Sequence, residues 1–264
     1  MCQAMTQGLT AELKSRALVS VAGPDWQSFL QGLLSQDVET LKPGVLRFGA
    51  LLNPQGKLLF DLFILGREDG CWLDVAADRR EALVQRLSIY RLRAKVEIAA
   101  AAAAVWALWD GAEGGAGDPR LAALGRRVYG RPPVDALVVD ETAYDAMRLA
   151  LGVPDPGKDS PPETDYPIEA NFDLLNGIDF QKGCFVGQET TSRMKRRGQI
   201  KSRMRPIDFD GPPPPFGAEV LADERLRAGE VRSGVDGRAI ALLRIDRIDG
   251  AALSVEGRPV KVDG

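Results

Sequence analysis

The octapeptide KGCFVGQE at residues 182–189 gathers the residue types in this chain that are best suited to chemistry. Its thiol, Cys184, lies two residues after Lys182, and a cationic neighbour favours the thiolate, which is the nucleophilic and metal-binding form of cysteine. A helix predicted to begin near Gly187 would act in the same direction. We therefore predict that Cys184 is a nucleophile or a transient ligand. The alternative is a buried and inert cysteine, which is the commoner case.

The other polar and flexible residues of the octapeptide each have two interpretations. Gly183 and Gly187 allow a sharp turn or a close approach to a ligand, and such a turn would present the cysteine. Gln188 and Glu189 stand at the predicted helix start, where the helix dipole favours a carboxylate. Helix capping and contact with a ligand are equally open for this pair.

The chain contains no histidine among its 264 residues. This composition excludes a serine–histidine–carboxylate triad, a cysteine–histidine pair and any metal site with a histidine ligand. Chemistry in this protein must therefore use cysteine, carboxylates, lysine or arginine, backbone groups or a bound cofactor.

Asp61 is the second residue with a predicted catalytic role. It lies in an apolar stretch, between Phe60 and Leu62, on the second strand of a predicted hairpin. Alternation along a strand places Asp61 on the face of Leu59 and Phe63. If that face is inward, burial raises the pKa of the carboxyl, which suits a group that exchanges a proton. The alternative is an outward acid on an edge strand.

A basic stretch follows the octapeptide, with no acid between Thr190 and Ile207. Its members are Arg193, Lys195, Arg196, Arg197, Lys201, Arg203 and Arg205. Such a run is typical of a solvated face, and it also suits RNA phosphates or another anionic ligand. The stretch has few aromatic residues on which bases could stack, and a single basic stretch in an acidic chain indicates only a weak RNA contact.

Length and composition are those of a globular protein with one large domain or two to three small ones. The net charge of −3 predicts no global attraction to nucleic acid or to an anionic membrane. No apolar run approaches the roughly 20 residues of a membrane span, and no signal peptide is predicted. Cys2, Cys71 and Cys184 are dispersed and odd in number, which favours a reducing compartment. Three cysteines also cannot supply the four thiolates that usually hold an iron–sulfur cluster.

Hydrophobic periodicity and turn signals predict the elements that position these residues. An apolar face predicts a helix that opens at residues 23–25 and runs through Leu34, and a turn at 53–56 joins strands 45–52 and 57–65 into a hairpin. Further predictions are strands 17–22, 71–75 and 134–139, and helices 79–91, 142–151 and 189–197. Residues 95–109 contain an alanine run that favours helix, whereas their flanking residues favour strand, so both stay open.

The second half of the chain contains two proline-rich segments. Residues 154–167 hold five prolines and are predicted to form a loop. Four consecutive prolines at 212–215 predict a stiff connection or a boundary. The short strands and glycine-bearing turns that follow, residues 218–264, predict a small β-barrel.

The octapeptide and its neighbours resemble the YgfZ-type family, folate-binding relatives of the glycine-cleavage T-protein that support the maturation of iron–sulfur proteins. Residues 182–189 match the family signature at every fixed place, and residues 177–180 and 192–198 resemble its flanks. Residues 53–61 are similar to the hairpin in which T-proteins place a folate-facing aspartate. Residues 229–243 resemble part of the T-protein C-terminal barrel.

The resemblance implies an α+β fold with antiparallel sheets and flanking helices. Residues 1–200 would form two interleaved subdomains around a central cleft, and residues 201–264 a small C-terminal β-barrel. Asp61 and Cys184 would both face the cleft as catalytic groups, with tetrahydrofolate or a one-carbon derivative as cofactor and no stably bound metal. The implied ligand-binding residues are Lys182, Gly183, Gly187, Gln188, Glu189, Glu169 and Arg193. A carboxylate at Glu169 can pair with the amino-imine edge of a pterin, although a surface acid is the commoner case.

The implied function is that of an accessory factor for the assembly or repair of iron–sulfur clusters in client enzymes. Its partners would be folate and iron–sulfur client or assembly proteins, with no membrane association, in the cytoplasm or, in a eukaryote, in the mitochondrial matrix. A folate-dependent aminomethyl or one-carbon transferase is the first alternative, and an RNA-associated module for tRNA modification is the second. Two departures disfavour aminomethyl transfer. Residues 128–133 lack the acid with which T-proteins read the pterin, and Ala150 stands where many family members carry a glutamate.

Overall fold

The computed structural model describes residues 8–132, 135–198 and 200–262. The strands in these ranges are β1 Leu9–Glu12, β2 Arg16–Ala22, β3 Leu46–Leu52, β4 Leu58–Arg67, β5 Gly70–Ala76, β6 Glu97–Ala101, β7 Val105–Trp109, β8 Ala116–Gly117, β9 Arg126–Tyr129, β10 Leu137–Val139, β11 Ser202–Asp208, β12 Glu219–Ala222, β13 Leu226–Val235, β14 Arg238–Arg244, β15 Leu253–Val255 and β16 Arg258–Val262. The α-helices are α1 Trp26–Gln31, α2 Arg80–Arg91, α3 Glu141–Ala150, α4 Pro156–Asp159, α5 Gln188–Arg197 and α6 Ile245–Ile248.

Two five-stranded sheets are interleaved along the chain. One sheet has the antiparallel order β3-β4-β5-β2-β6 and uses consecutive strands. The other has the order β10-β1-β7-β9-β8, so its strand β1 precedes the first sheet in sequence and its other strands follow it. This arrangement, together with the barrel below, confirms the predicted α+β class.

The C-terminal region is a closed barrel with the strand order β11-β14-β13-β12-β15-β16. The four prolines at 212–215 belong to the connection between β11 and β12, two strands of this barrel. The interior is filled by small and branched side chains such as Val220, Ala241 and Leu243, which are fully buried. A filled interior shows that this barrel is a packed core.

Apolar side chains cover both faces of the first sheet. One face packs against α1 and α2 through residues that include Leu30, Leu83 and Leu87. The other face packs through Phe48 and Phe63 onto Phe172, whose ring centroid lies 4.6 Å from that of Phe48. The segment that carries Phe172 leads into the octapeptide, so this second core positions the candidate site.

The structure corrects one predicted element and decides one open alternative. Helix α1 ends at Gln31 and does not continue through Leu34. The chain turns at Gly32, and Leu34 then forms a bridge with Leu51, so contact with β3 replaces further helix. Residues 95–109, for which helix and strand were both open, hold the two strands β6 and β7. The alanine-rich segment pairs with β2 along residues 97–101, so tertiary pairing outweighs the helix propensity of alanine.

The other predicted elements are confirmed with shifts of a few residues at their ends. The hairpin of β3 and β4 is closed by the Asn53 side chain, whose Oδ1 accepts a hydrogen bond from the Lys57 N–H at 2.9 Å. The predicted loop 154–167 contains the short helix α4. Val134, the predicted first residue of β10, lies outside the described residues, as does Cys2.

Candidate functional site

The octapeptide is seated on the turn of the β3–β4 hairpin through contact between two glycines. Gly187 has a φ of +80°, and a β-carbon there would lie 2.8 Å from both the Asn53 carbonyl oxygen and the Gly56 Cα. Gly56 has a φ of +85°, and its own β-carbon would lie 2.9 Å from the Thr190 Cβ. Only glycine combines this backbone conformation with such a close approach. The two glycines therefore fix where α5 begins.

Cys184 is solvent-exposed, whereas the residue after it is anchored. Phe185 is 7% exposed and packs into the second core. The Val186 N–H donates to the Gly32 carbonyl at 3.2 Å, which ties the loop to the end of α1. The thiol therefore lies on a loop whose next two residues are held, and the alternative of a buried Cys184 is wrong.

Lys182 acts on the loop and not on the thiol. Its Nζ donates to the carbonyl oxygens of Gln31 at 2.7 Å, Leu34 at 2.6 Å and Gln36 at 3.0 Å. An ammonium group has three N–H donors, so these carbonyls use all of them. Burial lowers the pKa of Lys182 to about 8, although the carboxylate of Asp37 and others nearby oppose this. The Lys182 side chain therefore holds the octapeptide against the end of α1 and the segment that follows it.

Most of the remaining predicted ligand residues of this region face solvent. Gly183 and Glu189 are exposed, Gln188 is half-buried, and Arg193 is exposed on α5. Glu189 lies in the first turn of α5, where its charge suits the helix dipole. This placement favours the capping interpretation of Glu189 and leaves ligand contact by Gln188 as a prediction.

Asp61 lies on the inward face of β4. It is 5% exposed, and its Oδ2 accepts a hydrogen bond from Nη1 of Arg16 at 2.7 Å. Arg16 also donates from Nε to Asp74 at 2.6 Å, so one buried cation joins two buried carboxylates. Burial raises the pKa of Asp61 above its ordinary value, although the Arg16 charge opposes this. The outward-acid alternative is therefore wrong.

The pair of Asp61 and Arg16 belongs to a buried charge network that the sequence interpretation missed. Asp74 accepts hydrogen bonds from Arg127 Nη1 at 2.8 Å and from the Tyr129 hydroxyl at 3.1 Å. Arg127, on β9 of the other sheet, also lies 3.4 Å from a carboxylate oxygen of Asp118, which directly follows β8. The signal for this network was present, because Arg16 and Asp74 are charged residues inside apolar strand segments, as Asp61 is.

A cavity of about 460 Å³ opens beside Asp61, between β4, residues 78–79 and the proline-rich segment. Its wall includes Phe60, over whose ring the Arg79 guanidinium lies at 4.4 Å. A neighbouring cavity of about 280 Å³ reaches Arg16 and shares Lys158 with the first. Together the two cavities form a cleft with an apolar wall, the buried acid Asp61 and three cations, Arg16, Arg79 and Lys158.

The structure does not bring all of the predicted site residues together. Cys184 does not line either of the two cavities that reach Asp61 and Arg16. The turn of the β3–β4 hairpin contacts both the octapeptide and the proline-rich segment. It touches Gly187 of the octapeptide, and its Asn53 Nδ2 donates to Glu163 of the proline-rich segment at 3.1 Å. Glu169 lines neither cavity, and its carboxylate accepts the Tyr166 N–H at 2.9 Å within its own turn. Burial raises the pKa of Glu169.

No group of three cysteine or carboxylate side chains is arranged to hold a metal ion in residues 8–132, 135–198 and 200–262. Within the same ranges, every helix is too short or too polar to cross a membrane.

Comparisons with known proteins agree with this architecture. The profile described as "CAF17, C-terminal beta-barrel domain" matches residues 201–263. The fold is similar to the crystal structure of glycine cleavage system aminomethyltransferase T from Bartonella henselae, with a TM-score of 0.78 and 18% identity, over 98% of this chain and 85% of that one. At this identity the likeness shows the fold alone.

Sequence relatives are more specific. The chain is 31% identical over 277 residues to "Iron-sulfur cluster assembly factor IBA57, mitochondrial" of Homo sapiens, with 90% of this chain and 78% of the relative covered. It is 34% identical over 237 residues to the IBA57 homolog of Phaeosphaeria nodorum and 31% over 292 residues to that of Neurospora crassa, with 78% and 95% of this chain covered. The chain spans 57% and 66% of the length of these two fungal relatives. The extent of the human match shows that this chain belongs to the IBA57 family of iron–sulfur cluster assembly factors.

Proposed function

We propose that this chain is an accessory factor for the assembly or repair of iron–sulfur clusters and that it acts through the thiol of Cys184. The observation that carries the proposal is the exposure of this thiol on a loop held by Lys182, Phe185 and Gly187. The printed names of the relatives, which describe iron–sulfur cluster assembly factors, support it. The YgfZ-type relationship implied by the octapeptide is part of the same proposal.

The chemistry available at Cys184 is that of a single thiolate. A thiolate can coordinate iron or attack sulfur, but one cysteine leaves most of the coordination sites of a cluster unfilled. Cys71 cannot assist, because it is 1% exposed in the first core and burial raises its pKa. Other ligands for a cluster in transit must therefore come from a client or assembly protein, and Cys184 would hold the cluster only while it is passed on.

Tetrahydrofolate is the proposed small ligand of the cleft beside Asp61. The cavity volume of about 460 Å³ lies in the range of small-molecule sites, and the exposed part of Arg79 could meet an anionic tail. Asp61 would hold or release a proton at the ligand, since burial already raises its pKa. Glu169 is directed into its own turn, so we propose no pterin contact for it.

The site of action is proposed from the relatives. Their names place them in mitochondria, so we propose the mitochondrial matrix for this chain in a eukaryote, and the cytoplasm in an organism without mitochondria.

The test of the main proposal is Cys184→Ser in a strain that lacks the endogenous factor. We expect loss of activity of an iron–sulfur enzyme in that strain, because serine keeps the size of the side chain and removes the soft ligand. Cys2→Ser makes the same exchange at another cysteine of the chain and serves as the matched control. Full enzyme activity with a folded Cys184→Ser chain would refute the proposal.

The folate proposal has an independent test. Calorimetric titration with tetrahydrofolate should show loss of binding in Asp61→Ala and unchanged binding in Glu169→Ala. If Asp61→Ala binds tetrahydrofolate as tightly as Glu169→Ala does, the ligand does not bind beside Asp61. Turnover of a lipoyl-linked aminomethyl donor by the unmodified chain would instead support the transferase alternative.

A further inference from the structure

Arg16 is divided unequally between the two carboxylates that it joins. Its Nε donates to Oδ1 of Asp74 at 2.6 Å, and its Nη2 donates to the backbone carbonyl of Asp74 at 2.8 Å. Asp61 receives a single hydrogen bond, from Nη1 to its Oδ2 at 2.7 Å. The guanidinium is planar with its donors in a fixed fork, so two bonds to one residue set the direction of the third. Asp74 therefore determines how Arg16 approaches Asp61.

Asp74 is itself held from the other side. Its Oδ2 accepts hydrogen bonds from Arg127 Nη1 at 2.8 Å and from the Tyr129 hydroxyl at 3.1 Å. The Arg127 guanidinium also lies 3.5 Å from the centroid of the Phe63 ring, which fixes its position. Asp74 is fully buried and both of its carboxylate oxygens are engaged. It is therefore a fixed anchor for Arg16.

The single bond from Arg16 leaves the second oxygen of Asp61 for another partner. Among the described residues, no group donates a hydrogen bond to Oδ1 of Asp61, and this oxygen is not one of the unpaired polar atoms that are sealed from solvent. Asp61 lines the cavity of about 460 Å³. Oδ1 is therefore the atom with which Asp61 meets the cavity, and a proton taken up by this carboxyl belongs on Oδ1.

The charges around Asp61 act on it in opposite directions. Burial raises its pKa, the charge of Arg16 opposes this, and the carboxylates of Asp155 and Asp74 act with burial. The charged residues that share the cavity wall with it are Asp78, Arg79 and Lys158. How readily Asp61 takes up a proton therefore depends on how much of the Arg16 charge is engaged by Asp74.

We propose that Asp74 is a positioning residue for Asp61: it restricts Arg16 to one hydrogen bond with Oδ2, so that Oδ1 can take up a proton and pass it to a nitrogen of the ligand. This inference rests on the proposed function in taking Asp61 as the proton-exchanging group of the cleft. In the transfer, the O–H bond at Oδ1 breaks and the lone pair of the ligand nitrogen accepts the proton. The carboxylate that remains keeps its bond from Arg16.

Asp74→Asn tests the proposal, because it keeps the size of the side chain and removes its charge. The readout is the titration of Asp61 itself, followed by ¹³C NMR of a chain labelled at the aspartate carboxyl carbons, with no ligand present. The resonance that is missing from Asp61→Asn identifies Asp61. We expect Asp74→Asn to lower the midpoint of the Asp61 titration by about one pH unit or more, because a like charge is removed and Arg16 turns its charge to Asp61.

Asp118→Asn is the matched control for this exchange. Asp118 is as buried as Asp74 and pairs with Arg120 at 2.8 Å and with Arg127 at 3.4 Å, but it does not contact Arg16. The same loss of charge one cation further along the network should therefore move the Asp61 midpoint far less. Circular dichroism establishes that both variants are folded.

The unmodified chain gives a second readout that needs no variant. The Nε–H of Arg16 should be equally protected from hydrogen exchange on both sides of the Asp61 midpoint, after correction for the intrinsic pH dependence of exchange. The reason is that Asp74 holds this group whether or not Asp61 carries a proton. Loss of protection once Asp61 is neutral would show that Asp74 does not hold Arg16, and would overturn the proposal.

An Asp61 midpoint that is the same in Asp74→Asn and the unmodified chain would also overturn it, as would an equal shift in Asp118→Asn. A purely structural role would lower the stability of Asp74→Asn to urea without moving the Asp61 titration. Because these measurements use the chain without ligand, they can succeed while the tetrahydrofolate titration fails, and the reverse.

Discussion

Replacement of Gly187 by alanine tests whether the contact between α5 and the hairpin turn positions the octapeptide. The new β-carbon meets two obstacles, since φ is +80° and two backbone atoms lie 2.8 Å away. The left-handed conformation costs a residue with a β-carbon about 1–2 kcal/mol. Alanine also restricts the unfolded chain more than glycine does, and this stabilisation offsets about 0.4–1 kcal/mol of the cost.

The steric overlap adds to the backbone cost. Both obstructing atoms belong to the main chain of the hairpin turn, so no side-chain rotation can relieve the contact. Overpacking of this kind costs about 1–3 kcal/mol, and we expect Gly187→Ala to lower the free energy of unfolding by about 2–3 kcal/mol in all.

Two other glycines of the same region separate the two contributions. Gly198 has a φ of +60° with no atom within 4 Å of its β-carbon position, so Gly198→Ala isolates the backbone cost of about 1 kcal/mol. Gly183 has neither a left-handed φ nor a close neighbour, so Gly183→Ala should change stability by less than about 0.5 kcal/mol. Urea unfolding followed by tryptophan fluorescence measures all three variants. If Gly187→Ala is no less stable than Gly198→Ala, the hairpin turn yields and the contact does not fix the loop.

Two further predictions concern buried charge and pH. Arg16→Met leaves Asp61 buried without its cation, while Asp74 keeps its pair with Arg127, so we expect a loss of about 3–5 kcal/mol in urea unfolding, and a loss below about 1 kcal/mol would show that other cations replace Arg16. Burial disfavours the charged form of Asp37, but the hydrogen bonds that it accepts outweigh burial and hold its pKa well below the ordinary value of 3.8. The ionised group therefore stabilises the fold above pH 3.8, and this stabilisation is lost as the pH falls through the lowered pKa. The stability difference between the unmodified chain and Asp37→Asn should shrink between pH 5 and pH 2.5, and a constant difference would contradict this assignment.

Local signals predicted the elements around the candidate site well. The hairpin follows from the turn at residues 53–56, and α5 follows from the polar run after Gly187. The inward position of Asp61 was one of two alternatives, because alternation gives which residues share a face and not which face is buried. Asp61 pairs with Arg16 of β2 and lies beside residues 156–162, and no local pattern brings these distant residues to it.

The roles of the cations could not be predicted from their neighbours in sequence. Lys182 lies two residues from Cys184, yet its ammonium bonds to carbonyls that are 146 to 151 residues away. Arg16 likewise meets Asp61 and Asp74 across 45 and 58 residues. Such pairings depend on how the sheets pack, so only the presence of a charge in an apolar strand could indicate them.

The interleaving of the two sheets has a consequence for the order in which the polypeptide acquires structure during synthesis. Strands β2 to β6 are complete once residue 101 has emerged, whereas β1 must wait for β7, and the Thr10 hydroxyl reaches its partner, the Ala107 carbonyl, across 97 residues. Pairings between distant residues form slowly, because the entropy of closing a long loop is lost before any contact of the pairing stabilises it. Strand β1 therefore stays unpaired while its neighbour sheet is already assembled, and a chaperone would have this time to bind it.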